Sequence, residues 1–267
     1  MTDKKISKWM VAALLLLLLP QAMQGSVIRV LAIGNSFSDD AVEHYLYELA
    51  IEGGDTLIIG NAYRGGQGYE SHWRVVEDNK ADFEYRKIVA GNRTNERHTL
   101  LDCLKDEPWD IITFQQVSQD AGDDATYEPW LTNLINYVRE HATNPDIQLG
   151  LHRTWAYAAN SDHWGFSKYG KDQQRMFQAI VDATNRARKA HPELKLLIPT
   201  GTAIQNGRTS YVGDRFCRDG YHLSFLLGRY TASLTWLEVI TGQSAIGKKY
   251  TPPTQLCSNT SEITVKV

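Results

Sequence analysis

The run Val27-Ile28-Arg29-Val30-Leu31-Ala32-Ile33, followed at once by Gly34-Asn35-Ser36-Phe37-Ser38, constrains this chain more than any other feature. A short β-branched apolar run bounded by small residues is a buried strand, and the small residues let the chain turn abruptly into a helix. Ser36 then stands at the carboxyl end of a strand, the edge at which open α/β sheets bind ligands. The pattern recurs. Asp55–Asn61, Ile111–Phe114, Ile147–His152 and Leu194–Pro199 read as four further strands, separated by helical stretches. Strands alternating with helices imply a parallel sheet covered on both faces by right-handed crossovers. The expected fold is therefore an α/β three-layer α/β/α sandwich with a central five-stranded parallel sheet.

Between the strands, Val42, Tyr45, Leu46, Leu49 and Ala50 recur at helical spacing after Asp39 and Asp40, whose charges suit a helix N-terminus. Tyr69 to Asn79 and Thr99 to Lys105 read as short helices, Tyr127 to His141 as an amphipathic one, and Lys168 to Ala190 as a long one. Ala81 to Thr94, with Gly91-Asn92 at its turn, reads as a small hairpin insertion. The polar tail beyond Lys248 contains one further apolar stretch, Ile263-Thr264-Val265, which suits a terminal strand.

Lys4, Lys5 and Lys8 precede the unbroken apolar stretch Met10–Leu19. A basic segment followed by about 7–15 apolar residues is a secretory signal, and it is shorter than the about 20 residues that span a bilayer. Residues 1–25 are read as that signal and 26–267 as one domain, exported to the periplasm or secreted, with an uncleaved tether as the alternative. A mature chain of roughly 240 residues supports one such domain with a substantial core. The formal charge of −3 provides no electrostatic footprint for nucleic acid. The three cysteines, Cys103, Cys217 and Cys257, do not make a disulfide scaffold, although export permits a Cys217–Cys257 pair. No zinc-ligand spacing appears, and no metal or other cofactor is expected.

A serine hydroxyl needs a positioned base, and the base needs an orienting carboxylate. Asp219-Gly220-Tyr221-His222 supplies both, three residues apart, so that Asp219 can hold one ring nitrogen of His222 while the other faces Ser36. Ser38 is the competing nucleophile, weaker because it falls inside the turn into the helix. Asn35 suits bracing of that turn through its amide.

A Gly-Asn-Ser turn after the first strand and a late Asp-x-x-His, in that order, resemble the SGNH (GDSL-like) hydrolase superfamily. The accompanying Arg64-Gly65-Gly66-Gln67-Gly68 loop, Trp109-Asp110, Gln115-Gln116-Val117-Ser118 and Asp219-Gly220-x-His222-Leu223-Ser224 resemble a Bacteroidetes-type subgroup known as a domain of unknown function. The resemblance runs from Val27 to about Gly242 and implies the flavodoxin-like SGNH hydrolase fold. It also implies two further oxyanion-hole donors. Gly66 takes the place of the family's glycine after the second strand. The third block departs from Gly-x-Asn-Asp, and a glutamine amide carries the same two N–H donors on a stem longer by one methylene. Alternation along a strand brings one of Gln115 and Gln116 to the site, Gln115 being preferred.

The expected reaction is serine esterase chemistry through an acyl-enzyme on Ser36, removing acetyl groups from a polysaccharide or oligosaccharide, with a small-molecule or glycan ester as the substrate, and neither nucleic acid nor a membrane as a partner. Trp155 is expected to line the substrate, as part of an aromatic loop that continues through His163, Trp164 and Tyr169, although with 7 Trp and 13 Tyr most aromatic residues must pack in the core. His72, beside Trp73, suits the same pocket. Arg64 suits an acidic sugar, or else fixation of the glycine loop. Two rivals are a lipase-like or lysophospholipase-like esterase, disfavoured by loops rich in Gly, Asn, Gln and charge, and a non-catalytic glycan-binding protein, disfavoured by the intact Ser36, Asp219 and His222.

Overall fold

The structure is a computed structural model that describes residues 25–253. The signal segment, the tail strand at 263–265 and Cys257 lie outside the described residues. Parallel strands β1 (Val27–Gly34), β2 (Thr56–Tyr63), β5 (Ile111–Phe114), β6 (Gln148–His152) and β7 (Leu194–Ile198) pair in the order β2-β1-β5-β6-β7. These are the five strands read from the sequence. The order places a switch point between β1 and β5, where the connections leave in opposite directions and open a crevice at the carboxyl edge.

The hairpin joins the sheet rather than standing apart from it. Strands β3 (Phe83–Val89) and β4 (Asn92–His98) pair antiparallel, and β3 pairs with β2 from Ile58↔Val89 to Tyr63↔Glu84, giving a seven-stranded sheet among the described residues. Ala90 and Gly91 both take left-handed backbone (φ 49° and 76°), the conformation that a tight hairpin turn requires. The outer strand β4 is polar along its length and largely exposed, which suits an edge open to water.

Residues of β1 alternate between two cores: Val30 and Ala32 face one side, with Phe37, Trp155 and Trp236, while Leu31 and Ile33 face the other, with Phe83, Trp109 and Leu134. Burial on both faces is the reason that β1 reads as a continuous apolar run. The first layer carries helices α1 (Ser36–Val42), α2 (Leu46–Glu52) and α8 (Leu227–Thr241), and the second α3 (Tyr69–Glu77), α4 (Leu100–Asp106) and α5 (Trp130–His141). Helix α6 (Gln173–Ala190) contributes Met176 and Ile180 to one core and Ala183 and Ala187 to the other, and α7 (Thr200–Arg208) follows β7.

Two helices depart from their expected bounds. The one after Ser36 breaks at 43–45, because Glu43 and His44 are held by tertiary partners that helical pairing does not supply. Asn61 Nδ2 donates to Glu43 Oε1 (2.6 Å), Arg93 pairs with Glu43 Oε2 (2.7 Å), and Ser233 Oγ donates to the His44 carbonyl (2.5 Å). Tyr45 then reverses the chain with φ 62°, its hydroxyl donating to the Phe225 carbonyl at 2.8 Å. The long helix starts at Gln173 rather than Lys168, since Asp172 caps it by accepting the Arg175 N–H (2.9 Å) and a 3₁₀ turn occupies Trp164–Tyr169.

Candidate active site

The small residues at the end of β1 are required by space. A Cβ on Gly34 would come within 2.6 Å of Ser38 Oγ. Asn35 then caps α1, its Oδ1 accepting the Phe37 N–H at 3.0 Å, so Ser36 opens the helix and projects from the carboxyl edge. Ser38 is buried, its single O–H shared between the Asn35 carbonyl (2.7 Å) and Asn61 Oδ1 (2.9 Å), an arrangement that leaves Ser36 as the accessible hydroxyl.

His222 Nε2 lies 2.9 Å from Ser36 Oγ, and His222 Nδ1 lies 2.7 Å from Asp219 Oδ2. Because the carboxylate only accepts, Nδ1 carries the proton and Nε2 presents its lone pair to the serine hydroxyl. Asp219 Oδ1 accepts the backbone N–H groups of His222 (2.7 Å) and Tyr221 (3.2 Å), which orients the carboxylate before any substrate arrives. Partial burial pushes its pKa up, but the hydrogen bonds from the His222 ring and from the His222 and Tyr221 N–H groups outweigh this and hold Asp219 below the ordinary carboxylate range.

The loop that carries this pair is held on two sides. Asp40, fully buried on α1, accepts the Leu223 N–H (2.7 Å), Arg218 Nη1 (2.9 Å) and Arg229 Nε (2.8 Å), while Arg218 also donates to the Leu223 carbonyl. From the β6 exit, Trp155 Nε1 donates to the Tyr221 carbonyl (2.7 Å) and the Ala158 N–H to the Gly220 carbonyl (2.8 Å). The helix that opens with Ser36 thus positions the loop of His222. Sequence reading assigned Asp40 only to a helix N-terminus; its partners lie 178 to 189 residues away, so no local signal marks them.

The glycine loop sits against the nucleophile turn: the Arg64 N–H donates to the Gly34 carbonyl (3.0 Å), and Asn35 Nδ2 to the Gln67 carbonyl (2.9 Å). Gly66 has φ +67°, a backbone strained for any residue with a Cβ, and its N–H has no hydrogen-bond partner among the described residues. A cleft of about 380 Å³ opens beside it, lined by Gln67, Glu70, Ser71, Val117, Gln119 and Asp120 among others.

Several expected roles are corrected by burial and hydrogen bonding. Gln115 and Gln116 are both buried; the Gln116 amide spends its N–H groups on Thr126, an arrangement that does not support it as an oxyanion donor, while the Gln115 amide gives one of its two N–H groups to Asn35. Gln115 Nε2 donates to Asn35 Oδ1 (2.6 Å), and its Oε1 accepts from His152 Nδ1 (2.9 Å), whose Nε2 in turn accepts from Thr200 Oγ1 (3.0 Å). The orientation of every group in this chain follows from the Phe37 N–H, which requires an oxygen at Asn35. Gln116 Oε1 accepts the N–H groups of Tyr69 (3.0 Å) and Val117 (2.9 Å), while its Nε2 donates to the carbonyl and hydroxyl of Thr126 (3.1 Å each). Asn35 is a buried brace rather than a substrate ligand.

Trp155 does not line the substrate; it is fully buried, stacked on Phe37 with ring centroids 4.2 Å apart. His72 is also fully buried, stacked on Phe83 at 5.5 Å, and burial lowers its pKa to about 3. Arg64 is committed to Asp82 (2.7 Å) and the Ser71 carbonyl (2.7 Å), and so fixes the glycine loop. Among the described residues there is no cluster of potential metal ligands.

A switch-point crevice holding a Ser-His-Asp constellation on a β2-β1-β5-β6-β7 sheet defines the class: this is the SGNH hydrolase fold. A family model described as Domain of unknown function (DUF4886) matches residues 29–266, and the chain belongs to that family. A DUF4886 family protein from Bacteroides uniformis ATCC 8492 is similar at 45% identity, over 85% of this chain and 88% of that one, with a TM-score of 0.83. A candidate SGNH hydrolase from Slackia heliotrinireducens is 19% identical over 80% of this chain and 98% of that one (TM-score 0.54). Axe2, an acetylxylan esterase from Geobacillus stearothermophilus, is 14% identical over 82% and 96% (TM-score 0.51). At those identities the latter two show a shared fold. No curated protein matches.

Proposed function

We propose that this protein is an exported serine esterase that removes short acyl groups, acetyl foremost, from a carbohydrate. The observation that carries the reading is His222 Nε2 at 2.9 Å from Ser36 Oγ, with Asp219 at 2.7 Å on the opposite nitrogen. His222 takes the Ser36 proton as Oγ attacks the ester carbonyl, and Asp219 stabilises the imidazolium. The backbone N–H groups of Ser36 and Gly66 receive the oxyanion. His222 then gives its proton to the departing alkoxide, and water attacks the acyl-enzyme with His222 again as base. The likeness to an acetylxylan esterase and the polar lining of the cleft beside Gly66 support a short acyl group rather than a lipid chain. Export rests on Lys4, Lys5, Lys8 and Met10–Leu19, outside the described residues.

The test is hydrolysis of p-nitrophenyl acetate and butyrate by the purified mature chain, paired with Ser36→Ala. Acetate turnover that falls by about 10³-fold or more in the variant is the expected result. Equal rates in the two proteins would end the esterase reading.

A further inference from the structure

The rings of His222, Tyr221, His163 and Trp164 run in a row, with successive centroids 4.3, 4.7 and 5.7 Å apart and the indole inclined by 27° to His163. Trp164 is 65% exposed, whereas Trp109, Trp155 and Trp236 are buried. One exposed aromatic residue needs no explanation by itself. This one, however, is held in place. The Gly165 N–H donates to His163 Nδ1 (3.1 Å), Ser167 Oγ donates to the Trp164 carbonyl (2.7 Å), and Lys168, paired with Asp120, lies 5.8 Å from the indole centroid. Gly165 packs so closely on Gln119 that an added Cβ would come within 2.3 Å of the Gln119 Cβ. An exposed aromatic face on a braced turn offers contact area with little left to order on binding.

The chemistry decides which half of an ester this row serves. The departing alkoxide takes its proton from His222, so the alcohol lies on the His222 side of Ser36 and the carbonyl oxygen on the Gly66 side. The row begins at His222 and leads away from it. Since His163 Nδ1 accepts from Gly165, its Nε2 bears the proton and offers a neutral donor beside the row, while Asp120 and Lys168 supply polar groups near its far end.

We propose that Tyr221, His163 and Trp164 form an alcohol-side subsite for a linked-sugar chain: the ester-bearing unit lies at Ser36 and a neighbouring pyranose stacks on the Trp164 indole. The inference deepens the esterase reading and rests on it for the placement of the alcohol. It sets a preference for oligomeric over monomeric carbohydrate esters.

The experiment compares kcat/KM on acetylated xylotetraose with that on p-nitrophenyl acetate for the wild type, Trp164→Ala and Trp164→Phe, and measures binding of unacetylated xylotetraose to each protein by NMR titration. The oligosaccharide-to-aryl-ester ratio is expected to fall about tenfold in Trp164→Ala, mainly through KM, and to recover in Trp164→Phe. An unchanged ratio, or aryl-ester turnover with no action on the oligosaccharide, overturns the subsite while the esterase reading stands. If the wild type hydrolyses neither ester, the esterase reading fails and binding decides the sugar subsite: tetraose binding that Trp164→Ala removes supports it, and absence of binding overturns it.

Discussion

At the scale of residues, the two glutamines after β5 illustrate how a side chain's role depends on what else competes for its donors. An amide at this point in the chain can serve an oxyanion only if its N–H groups are left over. Here Asn35 takes one N–H of Gln115, and the carbonyl and hydroxyl of Thr126 take those of Gln116. Gln115 instead braces the nucleophile turn from below, and Gln116 gathers the backbone of Tyr69 and Val117, which border the cleft. Gln115→Ala and Gln116→Ala are therefore each expected to lower stability by about 1–3 kcal/mol, because buried partners are left unpaired. Thermal unfolding and kcat measured together check this. A purely oxyanion role would lower kcat by about 10²–10³ with the melting temperature unchanged.

At the scale of elements, α1 does two things through one short stretch: it opens with Ser36, the proposed nucleophile, and Asp40, one turn on, anchors the loop that carries His222. Asp40→Asn retains the shape but leaves Arg218 and Arg229 facing each other without their carboxylate, and breaking a buried pair of this kind costs about 3–5 kcal/mol. The expected outcome is a lower melting temperature, with kcat reduced more than KM is raised as His222 loses its register on Ser36. Retention of full kcat in folded Asp40→Asn would show that the loop holds itself. The break between α1 and α2 has a comparable origin, since Glu43 and His44 follow their tertiary partners at the expense of helical pairing.

At the scale of the whole molecule, two histidines are buried in their neutral form on opposite sides of the site. Burial lowers the pKa of both His72 and His152 from 6.5 to about 3, the charge of Arg64 adding to the effect at His72. Between those values the unfolded chain binds protons that the folded one does not, so these residues make stability fall as the pH drops below about 6.5 and continue to do so down to about 3. Each contributes a slope of about 1.4 kcal/mol per pH unit where the difference is complete. Melting temperature followed from pH 7 to pH 4 is expected to decline, and more gently in His152→Gln, which removes one of the two groups. A wild-type profile flat over that window would refute the assignment.

Much of this organisation was legible in the chain. The five parallel strands follow from runs such as Val27–Ile33 because burial on both faces leaves a continuous apolar signature, and the hairpin turn at Gly91 follows from its backbone demand. Ser36, Asp219 and His222 were legible because the first sits on a local turn and the other two lie within one turn of each other. The sequence by itself therefore determined the layers of the fold and named the three residues, since these are set by local pattern. Only the tertiary structure decided that Trp155 and His72 are packing, that Gln115 and Gln116 brace the backbone around the site, and that Asp40 holds the loop of His222. Those roles are contacts between residues far apart in the chain, and which hydrogen-bond donors remain free is known only once every partner is in place.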